Sequence, residues 1–137
     1  MAMSTAPPNP GFSPLIVRFY PSPAPRWFSP WRTFLTRTVL LEVPLTYTRP
    51  DGTICTIPAG FASDGPSFPV FLDWLLPSRF DAMESGIYHD YLCRVRNYAL
   101  SWVDGEFREA LHSQGISPTM ASLCYLGLRF AAYFHLR

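Results

Sequence analysis

The chain sets His89 beside Asp90 in "GIYHDYLCRVRN" and carries a second acid, Asp104, fifteen residues after the histidine, in "SWVDGEFREAL". A carboxylate that accepts from one imidazole nitrogen fixes the tautomer and leaves the other nitrogen as a base. Two helices joined by a short loop would bring Asp104 to His89 in that role. Adjacent helical residues point about 100° apart, so Asp90 must face elsewhere. The nearest candidate is the "GFASDGPS" loop, residues 60–67. An acid beside a loop that exposes backbone carbonyls is a calcium-type oxygen site. A His–Asp contact between packed helices is equally a satisfied core pair, and the residue types alone leave both readings open.

The remaining reactive side chains are less informative. Asp64, just before Gly65, reads as a turn residue or as a further acid of the loop. Ser67 lacks the G-x-S-x-G setting of a hydrolase nucleophile. Cys93, one helical turn after His89, reads as a packing residue. His112 and His135 read as surface or helix-end residues. There is no H-E-x-x-H and no histidine before His89, so zinc peptidase and HD-phosphohydrolase chemistry lack ligands. The three cysteines, Cys55, Cys93 and Cys124, form no C-x-x-C pair, which fits synthesis in a reducing cytoplasm.

An α+β domain is expected to position these groups. Residues 33–48, "TFLTRTVLLEVPLTYT", are rich in β-branched residues, and "RPDGT" is a hairpin turn with "ICTIP" returning. This predicts a small antiparallel sheet over about 33–58. Three helices should follow, over about 79–97, 101–113 and 118–135. Met83, Ile87, Tyr88, Tyr91, Leu92 and Val95 form the apolar stripe of the first. The second has Ser101 as N-cap and Val103, Phe107, Ala110 and Leu111 as its apolar face, and Gly115 stops it. The third opens with Ser117 as cap and Pro118 at its first position. Ala82, Gly86, His89 and Cys93 share the face of the first helix opposite its stripe, which implies close packing around the histidine.

Eight of the fifteen prolines fall in residues 1–30, together with Phe19, Tyr20, Trp27 and Phe28. That composition predicts an extended arm over residues 1–31, excluded from regular helix and central strand, ahead of a single domain over 32–137. Its rigid aromatics suit docking on another protein. The net charge of +1 provides no general field for nucleic acid, and all eleven basic residues are arginine. The run "MASLCYLGLRFAAYF" is broken by Arg129 and too short for a transmembrane span. The opening "MAMSTAPPNPGF" has neither the basic nor the apolar region of a secretory leader.

Two resemblances meet at these residues. "TIPAGFASDGPSFP", then "YHDYL" and "VDGEFREAL", resembles the phage and prophage family DUF1353, whose pattern is P-A-G-F-x-T-D-G-A-S-x-P, H-D-Y-L-Y and A-D-x-x-F. Here Ser63 replaces the Thr, Pro66 the Ala, Cys93 the last Tyr and Val103 the Ala. More distantly, Pro58-x-Gly60-Phe61-x-x-x-Gly65-Pro66, His89-Asp90 and Asp104-x-x-Phe107 are similar to the phospholipase A2 domain of parvovirus capsid proteins. That resemblance implies His89 as the water-activating base and Asp104 as its orienter. It also implies calcium, on the Asp90 carboxylate and the carbonyls of Ser63, Gly65 and Ser67, polarising an ester carbonyl. Ser67 stands where that family often has a second glycine, and Cys93 where a tyrosine bonds the orienting Asp.

The combined expectation is a phage-encoded, calcium-dependent ester hydrolase acting on host-envelope lipid. Two alternatives accompany it. One is a non-catalytic virion part (tail, neck or baseplate) held to other phage proteins through the arm; the other is a lysis-cassette accessory protein. The expected location is the host cytoplasm at synthesis and the virion afterwards.

Overall fold

The computed structural model describes residues 11–21, 37–63, 83–95 and 98–133. Six strands precede three helices: β1 Gly11–Phe12, β2 Val17–Pro21, β3 Arg37–Leu41, β4 Leu45–Thr48, β5 Ile54–Ile57, β6 Ala62–Ser63, α1 Met83–Val95, α2 Leu100–Ser113 and α3 Pro118–Tyr133. The expected α+β order of small antiparallel sheet, then helices, is what the chain forms.

The strands make two three-stranded antiparallel sheets, ordered β1-β4-β5 and β2-β3-β6. Both come from one long bent hairpin, 37–63, flanked by residues 11–21. Where the chain passes between sheets it carries Pro14, Pro44 and Pro58, one per strand line, all exposed. A proline donates no ladder hydrogen bond, so the ladder breaks and bends there. Backbone bonds stitch the bend: Ser13 N–H to Thr46 O at 2.9 Å, Glu42 N–H to Ile16 O at 3.0 Å and Leu41 N–H to Phe61 O at 3.0 Å.

The hairpin turn is the one its residues dictate. Gly52 N–H closes a turn on Arg49 O at 2.9 Å, and Gly52 adopts φ +92°, which only glycine takes cheaply. Asp51 accepts from Thr53 N–H at 2.9 Å.

Residues 11–21 fall within the stretch expected to be an arm. They are extended, as the prolines require, and they pair as edge strands of the two sheets. Phe12, Leu15 and Val17 pack on the core. The rest of that stretch, 1–10 and 22–31, lies outside the described residues.

The main core joins Val39, Leu41, Leu45, Tyr47 and Ile57 of the sheets to Met83, Ile87, Tyr88 and Leu92 of α1 and Val103 and Ala110 of α2. A second cluster, Phe107, Leu111, Ala121, Cys124 and Leu128, joins α2 to α3. Two expectations need correction. Val95 is 52% exposed, because α1 outruns the sheets at its last residue. Ser101 is not the cap of α2: Ala99 is, and its carbonyl already accepts from Trp102 and Val103, so the helix begins at Leu100.

The other helix ends follow their signals. Gly115 (φ +84°) donates to His112 O and Ile116 to Leu111 O, a Schellman stop closed by contact of Ile116 with the Leu111 cluster. Ser117 Oγ accepts from Met120 N–H at 3.3 Å, with Pro118 as the first residue of α3. Among the described residues, no helix is long and apolar enough to cross a membrane.

Candidate functional site

α1 and α2 run antiparallel, and the short connection between them puts His89 opposite Asp104. His89 Nε2 donates to Asp104 Oδ1 at 2.8 Å. The Asp104 side chain is 0% exposed and that of His89 16%. Asp104 lies wholly inside, beside the buried Val103 and Phe107 of α2. The imidazole also meets the Phe107 ring edge-on, with centroids 5.3 Å apart, which limits its rotation.

A carboxylate this deep needs more than one donor. Arg129 supplies it from α3, with Nη1 donating to Asp104 Oδ2 at 3.0 Å. Both carboxylate oxygens therefore act as acceptors. Nε2 carries the proton toward Asp104. Cys93 Sγ lies 3.9 Å from Nδ1 and 4.0 Å from Nε2. Cys93 was expected to pack; it is exposed instead.

Asp90 points away from this pair, as the helical geometry requires. Its Oδ1 pairs with Arg94 Nε at 3.1 Å, and Arg94 Nη1 donates to Ala62 O of β6 at 2.7 Å. The guanidinium also sits over the Phe61 ring, 5.4 Å from its centroid. Asp90 does face the 60–63 segment, and an arginine stands between them. Asp90 Oδ2 is buried without a hydrogen-bond partner.

Of the expected calcium ligands, Asp90 and Ser63 lie among the described residues. Calcium takes six to eight oxygens. Asp90, the expected carboxylate ligand among the described residues, is paired with Arg94, which also holds the Ala62 carbonyl. Ser63 is buried in β6 and paired with Val39, part of a strand instead of an open loop. Gly65, Ser67 and the further candidate Asp64 lie outside the described residues. No cluster of three or more His, Cys, Asp or Glu suited to a metal occurs among those described.

A second polar network lies on the sheet side of the same helix pair. Glu106 Oε2 accepts from Tyr88 Oη at 2.7 Å and from Arg49 Nε at 2.9 Å. Burial, with the Glu106 carboxylate beside it, pushes the Tyr88 phenol well above the ordinary tyrosine range. At the far end of α1, Gln114 accepts from Ser85 N–H at 3.1 Å and donates to Glu84 at 2.6 Å. These bonds fix the register of α1 on α2, and with it the meeting of His89 and Asp104.

Residues 39–128 match the model of a family described as a protein of unknown function, DUF1353. The chain belongs to the DUF1353 family. No curated protein and no solved structure matches it. The DUF1353 match begins in β3 and ends in α3, so it takes in His89, Asp90, Cys93 and Asp104 and stops one residue before Arg129.

The sequence reading missed Arg129 as a partner of Asp104, though a signal was present. A lone cation inside the apolar run "MASLCYLGLRFAAYF" is a cue to look for an acid on the packed face, although the Arg129 side chain is itself 35% exposed. Arg94 carried no comparable signal, since a basic residue in the last turn of a helix is ordinary.

Proposed function

We propose that this DUF1353 protein is a hydrolase of acyl esters in which His89 is the general base and Asp104 its orienting carboxylate. The observation that carries the reading is the 2.8 Å bond between His89 Nε2 and an Asp104 that is 0% exposed. That bond, with Arg129 on the second oxygen, supports a tautomer with the proton on Nε2 and Nδ1 as the base. A base so held takes a proton from the attacking group and returns it to the leaving alcohol.

Support for a lipid substrate comes from Val95, Tyr98, Leu100 and Trp102. All are 40% exposed or more, and they follow Cys93 at the end of α1 and the start of α2. Apolar side chains of this kind suit contact with acyl chains at a bilayer surface. A source in a phage, with the host envelope as target, is part of the same proposal and rests on the sequence resemblance.

The test is fatty-acid release from phosphatidylethanolamine vesicles, read by mass spectrometry, for the parent and His89→Gln. The reading expects hydrolysis by the parent and a loss of roughly 10²-fold or more in the variant, with the fold retained. Equal release by both, or none by the parent on vesicles and on short soluble esters, would end it.

A second reading, a part of a phage particle, draws on α3. Leu123, Leu126, Phe130 and Tyr133 are exposed at 40%, 59%, 54% and 79% with the three-four-three spacing of a helical seam. Loss of incorporation into particles on replacing Leu126 and Phe130 with Ser would favour it. Normal incorporation would remove it.

A further inference from the structure

We propose that the outer face of α3 is a dimer seam, on which the same helix of a second copy lies antiparallel. The inference is independent of the hydrolase reading and gives the exposed face of α3 one specific occupant. The inner face of α3 is used within the fold: Ala121, Cys124 and Leu128 pack against α2. On the other face the exposed Leu123, Leu126, Phe130 and Tyr133 continue from the exposed Thr119 in steps of four, three, four and three residues. A mean period of 3.5 is the narrow seam that one helix offers another, in contrast to the broader stripe that a helix buries in a core.

The order of residues along the seam selects the partner. Its first half holds two leucines and its second half two rings. Antiparallel pairing centred level with Leu128 sets Leu126 against Phe130 of the partner subunit, and Leu123 against Tyr133 of the partner subunit. Every layer then joins a smaller side chain to a larger one, and the layers fill evenly. Parallel pairing would stack ring on ring at one end and leucine on leucine at the other. Antiparallel helices also oppose their dipoles favourably.

Charge agrees with an identical partner. Arg129 is the one charged residue of Pro118–Tyr133, and the buried Asp104 carboxylate answers it. The residues beside the seam, Met120, Ser122, Gly127 and Arg129, therefore carry neither a charge that repels a second copy nor the charge pattern that selects a different helix. A helix that lies on a bilayer carries Lys and Arg opposite its apolar face. Here the opposite face is the buried contact with α2, so a bilayer fits less well. From Leu123 to Tyr133 the seam is about 15 Å long. Its two rings offer roughly 200–300 Å² per copy, against about 800 Å² per partner in a standard interface. The dimer is therefore weak, reversible and governed by concentration.

The experiment is sedimentation equilibrium of the full chain from about 1 μM to about 1 mM. The parent should pass from monomer to dimer within that range. Leu126→Glu and Phe130→Arg, both at exposed positions, should each keep the parent's circular dichroism and melting at low concentration and weaken the dimer at least about tenfold. The two substitutions combined in one chain should restore it, because the antiparallel register sets each Glu against an Arg. A parallel register would set Glu on Glu and Arg on Arg. Where the parent dimerises and the combined variant does not, the antiparallel pairing is overturned. A parent still monomeric at about 1 mM, or a dimer that Leu126→Glu leaves intact, would overturn the seam itself. So would a monomeric parent that floats with phosphatidylethanolamine vesicles and loses that ability in Leu126→Glu, which would assign the face to a bilayer. If a charged variant loses the fold, Leu126→Ser takes its place and should weaken the dimer at least about tenfold; an unweakened dimer there counts equally against the seam.

Discussion

Two neighbouring residues of α1, Tyr88 and His89, enter two networks built from the same parts, and the difference between them separates scaffold from chemistry. On the sheet side, Glu106 is held by Arg49 and bonded by a tyrosine. On the other side, Asp104 is held by Arg129 and bonded by a histidine. Each has one acid, one arginine and one ring. Tyr88 is 0% exposed, gives its only proton to Glu106 and has a phenol pushed above its ordinary range, so it exchanges nothing near neutral pH. The His89 ring has a second nitrogen, and its side chain is 16% exposed. The proposed chemistry follows from the ring that has a second nitrogen beyond its bond to the buried acid.

The largest expected effect is at the buried acid. Asp104→Ala would remove the buried acid that His89 and the partly exposed Arg129 share, at a cost of about 3 kcal/mol in denaturant unfolding. Glu106→Ala should cost less, because that side chain is 15% exposed and water reaches the groups it leaves. If Glu106→Ala proved the more damaging, the ranking of the two networks by depth would be wrong.

Next comes the aromatic cover of the Tyr88 side. Phe12 of β1 lies 4.6 Å from the Tyr47 ring and 6.1 Å from Tyr88, centroid to centroid. Phe12→Ala should cost about 2 kcal/mol, below the full core value since Phe12 is half-buried. A melt unchanged by Phe12→Ala would mean that residues 11–21 add nothing to the core they touch.

The two rings also differ in how pH reads them. Burial pushes Tyr47 up to about 12 and Tyr88 further still. Both stay protonated in the fold above pH 10, where the unfolded chain ionises. Their contribution is therefore complete below about pH 10 and is lost as pH rises through the folded values, by about 1.4 kcal/mol per pH unit for each tyrosine. Tyr88→Phe should reduce that slope by one tyrosine and cost about 1 kcal/mol at neutral pH. The same slope in parent and Tyr88→Phe would contradict the assignment.

How far the sequence carries differs between the two networks. The His89–Asp104 contact was legible, because helix spacing and a short connection leave few places for either residue. The three helices, the hairpin at Gly52, the stop at Gly115 and the cap at Ser117 were legible for the same local reasons. The Glu106 network was not: its three members are far apart in the chain, and each looks like an ordinary surface residue or stripe member. The pairing of 11–21 was hidden by its prolines, which forbid a central strand but allow an edge. Cys93 was taken for packing because a helical wheel shows which residues share a face and not whether anything covers it.

The smallest expected effect is that of calcium. With Arg94 already joining Asp90 to Ala62, melts in calcium and in a chelator should coincide. A resident ion at a hundred times its dissociation constant would instead add about 2.7 kcal/mol, and such a rise would mean that calcium displaces the guanidinium.

The most direct test sets the two neighbours against each other. Turnover of a short p-nitrophenyl ester is measured for the parent, His89→Gln and Tyr88→Phe under one set of conditions. The account predicts a fall of roughly 10²-fold or more for His89→Gln and less than about twofold for Tyr88→Phe, with both variants folded. Equal turnover by His89→Gln and the parent would contradict it.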